Sequence, residues 1–225
     1  MLAAHAQKGL PAFGIYGKDV LDTDDTSIPE DVKTKLLRFG WVAVAVASIR
    51  GRSYLQIGSG CMGLQDLLSM LTFFEEYLGM RVESVDKVEI LRCMDEEIYD
   101  KEEFEKALVW AKENCKIGFD KNDPTLQRTE AEKEKEFEFC VRMMCIIKDL
   151  FAGNSNLPEE RREERLGHNA IAGGFQGQRQ WTDHWPNGDF FKALLSSSFD
   201  WEGAREPYIL ATENDNLNGV YKFGY

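Results

Sequence analysis

Segments with helical apolar spacing alternate with short β-prone runs along this 225-residue chain. Apolar side chains recur at helical spacing from Val32 to Ala43, and Ser53–Gly58 then alternates as a half-buried strand does before a glycine turn. Further β-prone runs surround Ile171 and cover Pro207–Thr212, each after a helical segment. Strands that alternate with helices predict the α/β class, here an open, Rossmann-like sheet flanked by helices.

Spacings typical of capping boxes mark where several helices begin. Ser27 and Glu30 have this spacing, and Asp100–Glu103 and Thr129–Glu132 repeat it, each before apolar residues at helical spacing. The predicted helices, several of which end at a glycine, run from about Glu30 to Arg50, Leu64 to Leu78, Asp100 to Cys115, Thr129 to Phe151 and Asp189 to Ser198. A short strand is predicted over Val82–Val85, and the charged run Glu159–Arg165 is predicted to be a solvated helical turn or an exposed loop.

The composition excludes several classes of partner. A net charge of −12 argues against nucleic acid and an anionic membrane as partners, because both require a basic surface. No apolar run reaches the roughly 18 residues that span a bilayer, so neither membrane insertion nor secretion is predicted. Five cysteines without a CxxC pair indicate neither a disulfide framework nor a zinc site, and a reducing cytoplasm is the expected location.

The segment Gly173–Gly188 is rich in side chains that bind hydroxyl groups. It contains Gln, Arg, Asp and His together with two Trp, and no apolar period of 2 or 3.6 runs through it. Amides, guanidinium and carboxylate hydrogen-bond hydroxyls, and indole faces stack on C–H surfaces, so the segment is a candidate sugar-binding surface. The alternative is an irregular polar loop whose side chains satisfy its own backbone.

Three separate segments are expected to meet at one edge of the sheet. Ligands of open α/β sheets bind at the carboxyl ends of strands, where the glycine turn after Ile57, the segment Gly173–Gly188 and Glu213 would lie. Glu213 is a candidate general base or oxygen ligand for a divalent cation; the alternative is that it caps its strand end or pairs with a nearby Arg. His184 is a weaker candidate because sequence neighbours such as Asp183 rarely form a working dyad with a histidine, and His168 is expected to be structural.

Several motifs follow one another in a fixed order: Leu10–Gly17, Asp24–Asp31, Tyr54–Ser59, Glu76–Met80, Gly167–Ala172, Gly174–Asp183, Pro186–Asp189, Ser197–Trp201 and Ala211–Asp215. With these motifs the chain resembles the bacterial L-fucose isomerase family over most of its length. The resemblance implies an aldose–ketose isomerase that interconverts L-fucose and L-fuculose, and also D-arabinose and D-ribulose, through an enediol assisted by Mn²⁺. This reaction is the first step of L-fucose degradation.

The resemblance also implies roles for three residues. The catalytic and metal-binding Glu of the family falls on Glu213, and its substrate-binding Gln and Met fall on Gln176 and Met62. Such a site is chemically sensible because the metal would stabilise enediolate charge while a carboxylate accepts the proton. The expected partners are the sugar and, for the complete protein, further copies in a hexamer.

The chain also departs from the family pattern. The resemblance divides it into residues 1–38, a remnant of an amino-terminal domain, and residues 39–225, the middle α/β domain of a three-domain isomerase. The other metal ligands of the family, an Asp and a His, would lie beyond Tyr225, so the chain is expected to be an incomplete fragment. Residues Gly60–Thr72 and Val220–Tyr225 diverge from the family. The alternative functions are a non-catalytic sugar-binding or assembly module and an isomerase for another aldose.

Overall fold

A computed structural model describes residues 2–18, 24–58, 72–116, 118–175, 181–182 and 184–211. The helices are α1 (Leu2–Gln7), α2 (Glu30–Ile49), α3 (Lys87–Asp95), α4 (Lys101–Asn114), α5 (Glu130–Ala152), α6 (Arg162–Leu166) and α7 (Asp189–Leu195), with a π-helical turn over Phe74–Leu78. The strands are β1 (Ser53–Ile57), β2 (Arg81–Val85), β3 (Ala170–Phe175), β4 (Phe199–Asp200), β5 (Gly203–Ala204) and β6 (Ile209–Ala211). No helix among the described residues is long and apolar enough to cross a bilayer.

The chain divides into two compact units, Met1–Ser48 and Ile49–Tyr225. The first unit contains α1 and nearly all of α2, whose observed end at Ile49 confirms the helix predicted to about Arg50. Large apolar side chains of α2 are exposed, among them Trp41 at 74% and Val44 at 64%. The domain boundary predicted between residues 38 and 39 lies within α2 and stays a prediction.

The second unit is built on a parallel sheet of four strands in the order β2-β1-β3-β6. Each neighbouring pair in this sheet is parallel. A separate antiparallel pair, β4 and β5, follows α7. This arrangement, with helices packed on the sheet, confirms the predicted α/β class and the strands predicted at residues 53–58, 82–85 and around 171. Of the strand predicted over residues 207–212, residues 209–211 form β6.

The alternation predicted for β1, with one face exposed, is wrong, because all five residues of this strand are buried. A central parallel strand is covered on both faces. Leu55 and Ile57 belong to the larger apolar core, whereas Tyr54 belongs to a second cluster on the opposite face. The two polar residues are accommodated by hydrogen bonds: Ser53 Oγ donates to the carbonyl of His168 over 2.7 Å, and Gln56 Oε1 accepts from Ser84 at 3.2 Å.

The helix α5 supplies much of the larger core. It begins at the predicted capping box, in which Thr129 and Glu132 each bond the other's backbone N–H, and its C-cap is Gly153. Ten of its 23 residues are buried, all of them between Cys140 and Phe151. The helix therefore packs on the core with its second half, while its acidic first turn is exposed. The helices α3, α4 and α7 all pack against it.

The helix α3 was not predicted, because only the strand-like run before it was recognised. Asp86 is its N-cap and accepts a hydrogen bond from Val88 N over 2.9 Å. The segment has only nine residues, of which Ile90 and Cys93 are buried, so its apolar period is too short to stand out. In the helix predicted over residues 64–78, only the part from residue 72 is described, and it ends as predicted at Gly79, whose φ is 64°.

Candidate functional site

The carboxyl ends of the four parallel strands are level with one another. Ile57 at the end of β1 pairs in register with Val85 on β2 and with Phe175 on β3. Ala211 at the end of β6 pairs with Gly174, one residue before the end of β3. Every turn that leaves this edge therefore starts from the same end of the sheet, which is where ligands of open α/β sheets bind.

The three predicted site residues lie outside the described residues. The structure describes the strand residues that precede them: Ile57 five positions before Met62, Phe175 directly before Gln176, and Ala211 two positions before Glu213. Since β1, β3 and β6 are consecutive neighbours in the sheet, the three chain segments leave from adjacent strands. The roles of these three residues stay predictions.

The glycine at position 173 has a packing role that explains why β3 contains it. A Cβ atom placed there would lie 2.5 Å from both the Leu55 carbonyl oxygen and the Phe151 ring. Such distances are impossible, so only glycine lets α5 approach the sheet this closely. The Gly-rich start of the candidate sugar-binding segment therefore belongs to the core.

The two Trp of that segment have different environments. Trp181 is only 4% exposed, its ring lies 6.3 Å from that of Phe175, and its indole N–H donates to the Pro186 carbonyl over 2.9 Å. The interpretation of this indole as a sugar-stacking surface is therefore wrong, because core packing covers it. Trp185, in contrast, is 40% exposed and stacks on Phe139 of α5 with ring centroids 5.6 Å apart.

A polar cavity of about 850 Å³ opens beside Trp185. One wall is the connector between α4 and α5 together with the first turns of α5. The other wall is formed by residues 182 and 184–187, including the exposed His184. Asp183, the sequence neighbour considered as a partner of His184, lies outside the described residues.

The histidine that was predicted to be structural, His168, has a defined partner. The Nδ1 atom of His168 lies 2.5 Å from a carboxylate oxygen of Glu83 on β2. His168 also precedes β3, so it lies near the amino end of that strand, away from the edge where ligands are expected. This contact agrees with the predicted structural role.

A partly buried ion-pair cluster, made by Glu89, Arg92 and Glu164, was missed in the sequence. Arg92 bonds Glu89 over 2.5 Å and also bonds Glu164, which is 7% exposed. The prediction that residues 159–165 are solvated is wrong at Glu164, because α6 turns this side chain towards α3. Only the spacing of Glu89 and Arg92, three apart on a helix, was visible as a signal.

The two carboxylates of this cluster, Glu89 and Glu164, form with Cys93 the one group of potential ligands among the described residues that is close enough together to hold a metal ion. Its chemistry does not fit Mn²⁺, because both carboxylates are already paired with the Arg92 guanidinium, whose hydrogen bond lowers the pKa of Glu89 and whose positive charge would repel a cation. Burial raises the pKa of the Cys93 thiol to about 12, so the thiol stays protonated at neutral pH. We interpret the cluster as a structural link between α3 and α6.

The parallel sheet with its level carboxyl ends defines an α/β domain of the open-sheet class. Comparison with known sequences gives the family. Residues 52–223 match the family described as L-fucose isomerase, second N-terminal domain, and residues 1–51 match L-fucose isomerase, first N-terminal domain. The chain therefore belongs to the L-fucose isomerase family.

Curated relatives agree with this assignment. The chain is 58% identical to an L-fucose isomerase of Phocaeicola vulgatus over 224 residues, and 57% identical to that of Bacteroides thetaiotaomicron. An L-fucose isomerase of Streptococcus pneumoniae is 55% identical over 221 residues. Each match covers 98% of this chain but only 38% of the relative, so the chain spans well under half of their length.

Proposed function

We propose that this chain is the part of an aldose–ketose isomerase that presents sugar-binding and proton-transfer residues, with L-fucose and L-fuculose as its substrate pair. The observation that carries the proposal is the sheet edge: Met62, Gln176 and Glu213 follow three adjacent strands whose ends are level. The names of the relatives, at 55–58% identity, support this choice of sugar. D-Arabinose and D-ribulose are the second proposed pair.

The proposed chemistry moves one proton between neighbouring carbons. A carboxylate accepts the proton from C2 of the open-chain aldose, and the electron pair left behind forms the C1–C2 double bond of an enediol. Return of the proton to C1, with transfer of the O2 hydroxyl proton to O1, gives the ketose without any net gain or loss of atoms. Glu213 is the proposed acid and base.

The other two residues would position the sugar. The Gln176 amide offers both a donor and an acceptor, which matches the hydroxyl groups of an open-chain sugar. The Met62 side chain is apolar and adaptable, and it suits the methyl end or a C–H face of the substrate. Both follow strands that flank one another, β3 and β1.

Mn²⁺ is the proposed cofactor, and Glu213 is the only ligand proposed in this chain. When bound, the ion would stabilise negative charge on the sugar oxygens. At the sheet edge, the described carboxylate that directly follows a strand is Asp86, which is engaged as the N-cap of α3. This donor set does not by itself fit a hard cation that needs several oxygen ligands, so the steps above use only protein groups.

A chimaeric enzyme tests the proposal. The matching segment of the Phocaeicola vulgatus L-fucose isomerase would be replaced by this chain, and ketose formation from L-fucose would be measured with added Mn²⁺. We expect activity in the chimaera and a loss of about a hundredfold or more in Glu213→Gln, as is typical for removal of a general base. The exposed Glu160→Gln is the matched control and should keep full activity.

Two outcomes would contradict the proposal. An inactive chimaera that folds and assembles would show that this chain does not supply the isomerase function. A Glu213→Gln chimaera as active as Glu160→Gln would remove Glu213 from the chemistry.

We also propose a cytoplasmic location and a homo-oligomeric, hexameric complete protein. The four described cysteines are free, which suits a reducing compartment. Light scattering on the complete protein measures the oligomeric state.

A further inference from the structure

The polar cavity beside Trp185 has no role in the proton transfer proposed above. Its volume of about 850 Å³ lies in the range of small-molecule sites. The lining combines one half-exposed indole with amides, hydroxyls and an imidazole, contributed by Asn122, Gln127, Thr182, His184, Trp185 and Asn187. We infer that this cavity is a second saccharide-binding site, distinct from the sheet edge at which the sugar would react.

The wall that carries His184 and Trp185 is held rigidly. The backbone N–H groups of these two residues both donate to the carbonyl of Trp181, over 3.0 and 2.8 Å. Trp181 is itself buried in the core, and its indole N–H donates a hydrogen bond to the Pro186 carbonyl. Stacking on Phe139 fixes the Trp185 ring against α5. A site built on such a preorganised turn loses little entropy when a ligand binds.

Three polar groups of the cavity lack a hydrogen bond to any residue that the structure describes. Among the described residues, no hydrogen bond involves the His184 ring, the Asn122 side-chain amide or the Trp185 indole N–H. Each is a donor or an acceptor that a ligand hydroxyl can satisfy. With one face of the Trp185 indole on Phe139, the surface that lines the cavity is available to the C–H groups of a sugar ring.

The charges of the lining select a neutral ligand. Asp120, Glu132 and Glu136 are acidic, and the one guanidinium among the described lining residues, that of Arg128, already pairs with Glu136 over 3.2 Å. A sugar phosphate or a sugar acid would face two uncompensated carboxylates, which disfavours binding. A neutral pyranose has the hydroxyls and the apolar ring face that this lining can contact. The choice of L-fucose as that pyranose rests on the proposed function.

The cavity also has a direct covalent connection to the proposed reaction site. Its wall, beginning at Thr182, follows Phe175 at the carboxyl end of β3 by fewer than ten residues, and Gln176 lies in that interval. The cavity and the proposed sugar-binding residue Gln176 therefore belong to neighbouring parts of one chain segment.

Ligand-observed NMR on the 225-residue chain tests the site without catalysis. The probe is methyl α-L-fucopyranoside, whose locked ring cannot isomerise, and dissociation constants come from saturation-transfer titrations. We expect Trp185→Ala and His184→Ala each to weaken binding about fivefold or more, as loss of an aromatic or hydrogen-bonding contact does. Trp185→Phe should restore most of the affinity, and Trp41→Ala, which removes an exposed indole of the first unit, should change nothing.

The outcomes separate this site from the proposed reaction site. Binding that is lost in Gln176→Ala but unchanged in Trp185→Ala and His184→Ala would overturn the inference, as would no binding by a folded wild-type chain. Binding that depends on Trp185 and His184 supports it even if the chimaera described above proves inactive. His184 is exposed, so its variant remains informative if Trp185→Ala fails to fold.

Discussion

The buried carboxyl of Asp149 makes the stability of this protein depend on pH in an unusual direction. Asp149 lies near the end of α5, is 3% exposed, and has one oxygen bonded by Asn154 over 3.0 Å while the other, among the described residues, has no partner. Burial raises the pKa of Asp149 from 3.8 to about 7, and the neighbouring charge of Glu103 adds to this increase.

The sign and size of the effect follow from proton linkage. Between pH 3.8 and 7 the folded chain keeps a proton that the unfolded chain has released, so rising pH favours unfolding across this window. Above pH 7 the Asp149 carboxyl is ionised in the folded chain as well. Its ionisation then lowers the free energy of unfolding by about 4 kcal/mol, given a pKa shifted this far. Asp149→Asn removes the titration while keeping an oxygen for Asn154 to bond.

Urea unfolding followed by intrinsic fluorescence at pH 5.5 and pH 8 measures the effect. We expect Asp149→Asn to be more stable than the wild type at pH 8, and its advantage at pH 8 should exceed that at pH 5.5 by about 2 kcal/mol. The exposed Asp95→Asn loses the same charge and should change stability by no more than about 0.5 kcal/mol at either pH. An advantage of Asp149→Asn that is equal at both pH values would refute the reasoning, because it would show that Asp149 does not titrate in this window.

Three further predictions concern the scaffold, and thermal or urea unfolding measures each. Gly173→Ala should destabilise the second unit by about 2–4 kcal/mol, because a Cβ atom would lie 2.5 Å from the Leu55 carbonyl; a stable variant would mean that α5 can move. Arg92→Met should cost about 2–4 kcal/mol by leaving buried Glu164 unpaired, and adding Glu164→Gln should recover part of the loss; no recovery would contradict this pairing. Thr129→Ala should cost about 1 kcal/mol, and Thr129→Ser should cost less, since only the hydroxyl is needed for the cap; equal losses would contradict that reason.

The features that were predictable from sequence depend on neighbours a few residues apart. The capping box of Thr129 and Glu132 occupies one turn, so three intervening positions suffice to recognise it. The strand Ser53–Ile57 and the strand around Ile171 were recognisable from their β-prone residues, whereas the extension of the second strand to Phe175 was not predicted. The alternation of helical and strand-like segments predicted an open α/β sheet. Such a sheet in turn predicted that Met62, Gln176 and Glu213 follow strands that end at one edge, and the roles of these residues remain predictions.

Tertiary structure decided what individual polar and aromatic side chains do. Glu164 looked solvated within its charged run, yet it is buried because Arg92, 72 residues earlier, reaches it. Trp181 and Trp185 lie in one motif but have different environments. Trp181 is buried against Phe175 of β3, whereas Trp185 stacks on Phe139 of α5 and lines the cavity. Backbone patterns are set by interactions between near neighbours and can be recognised along the chain. The environment of a side chain is set by residues distant in sequence, so it is defined only when the fold brings them together.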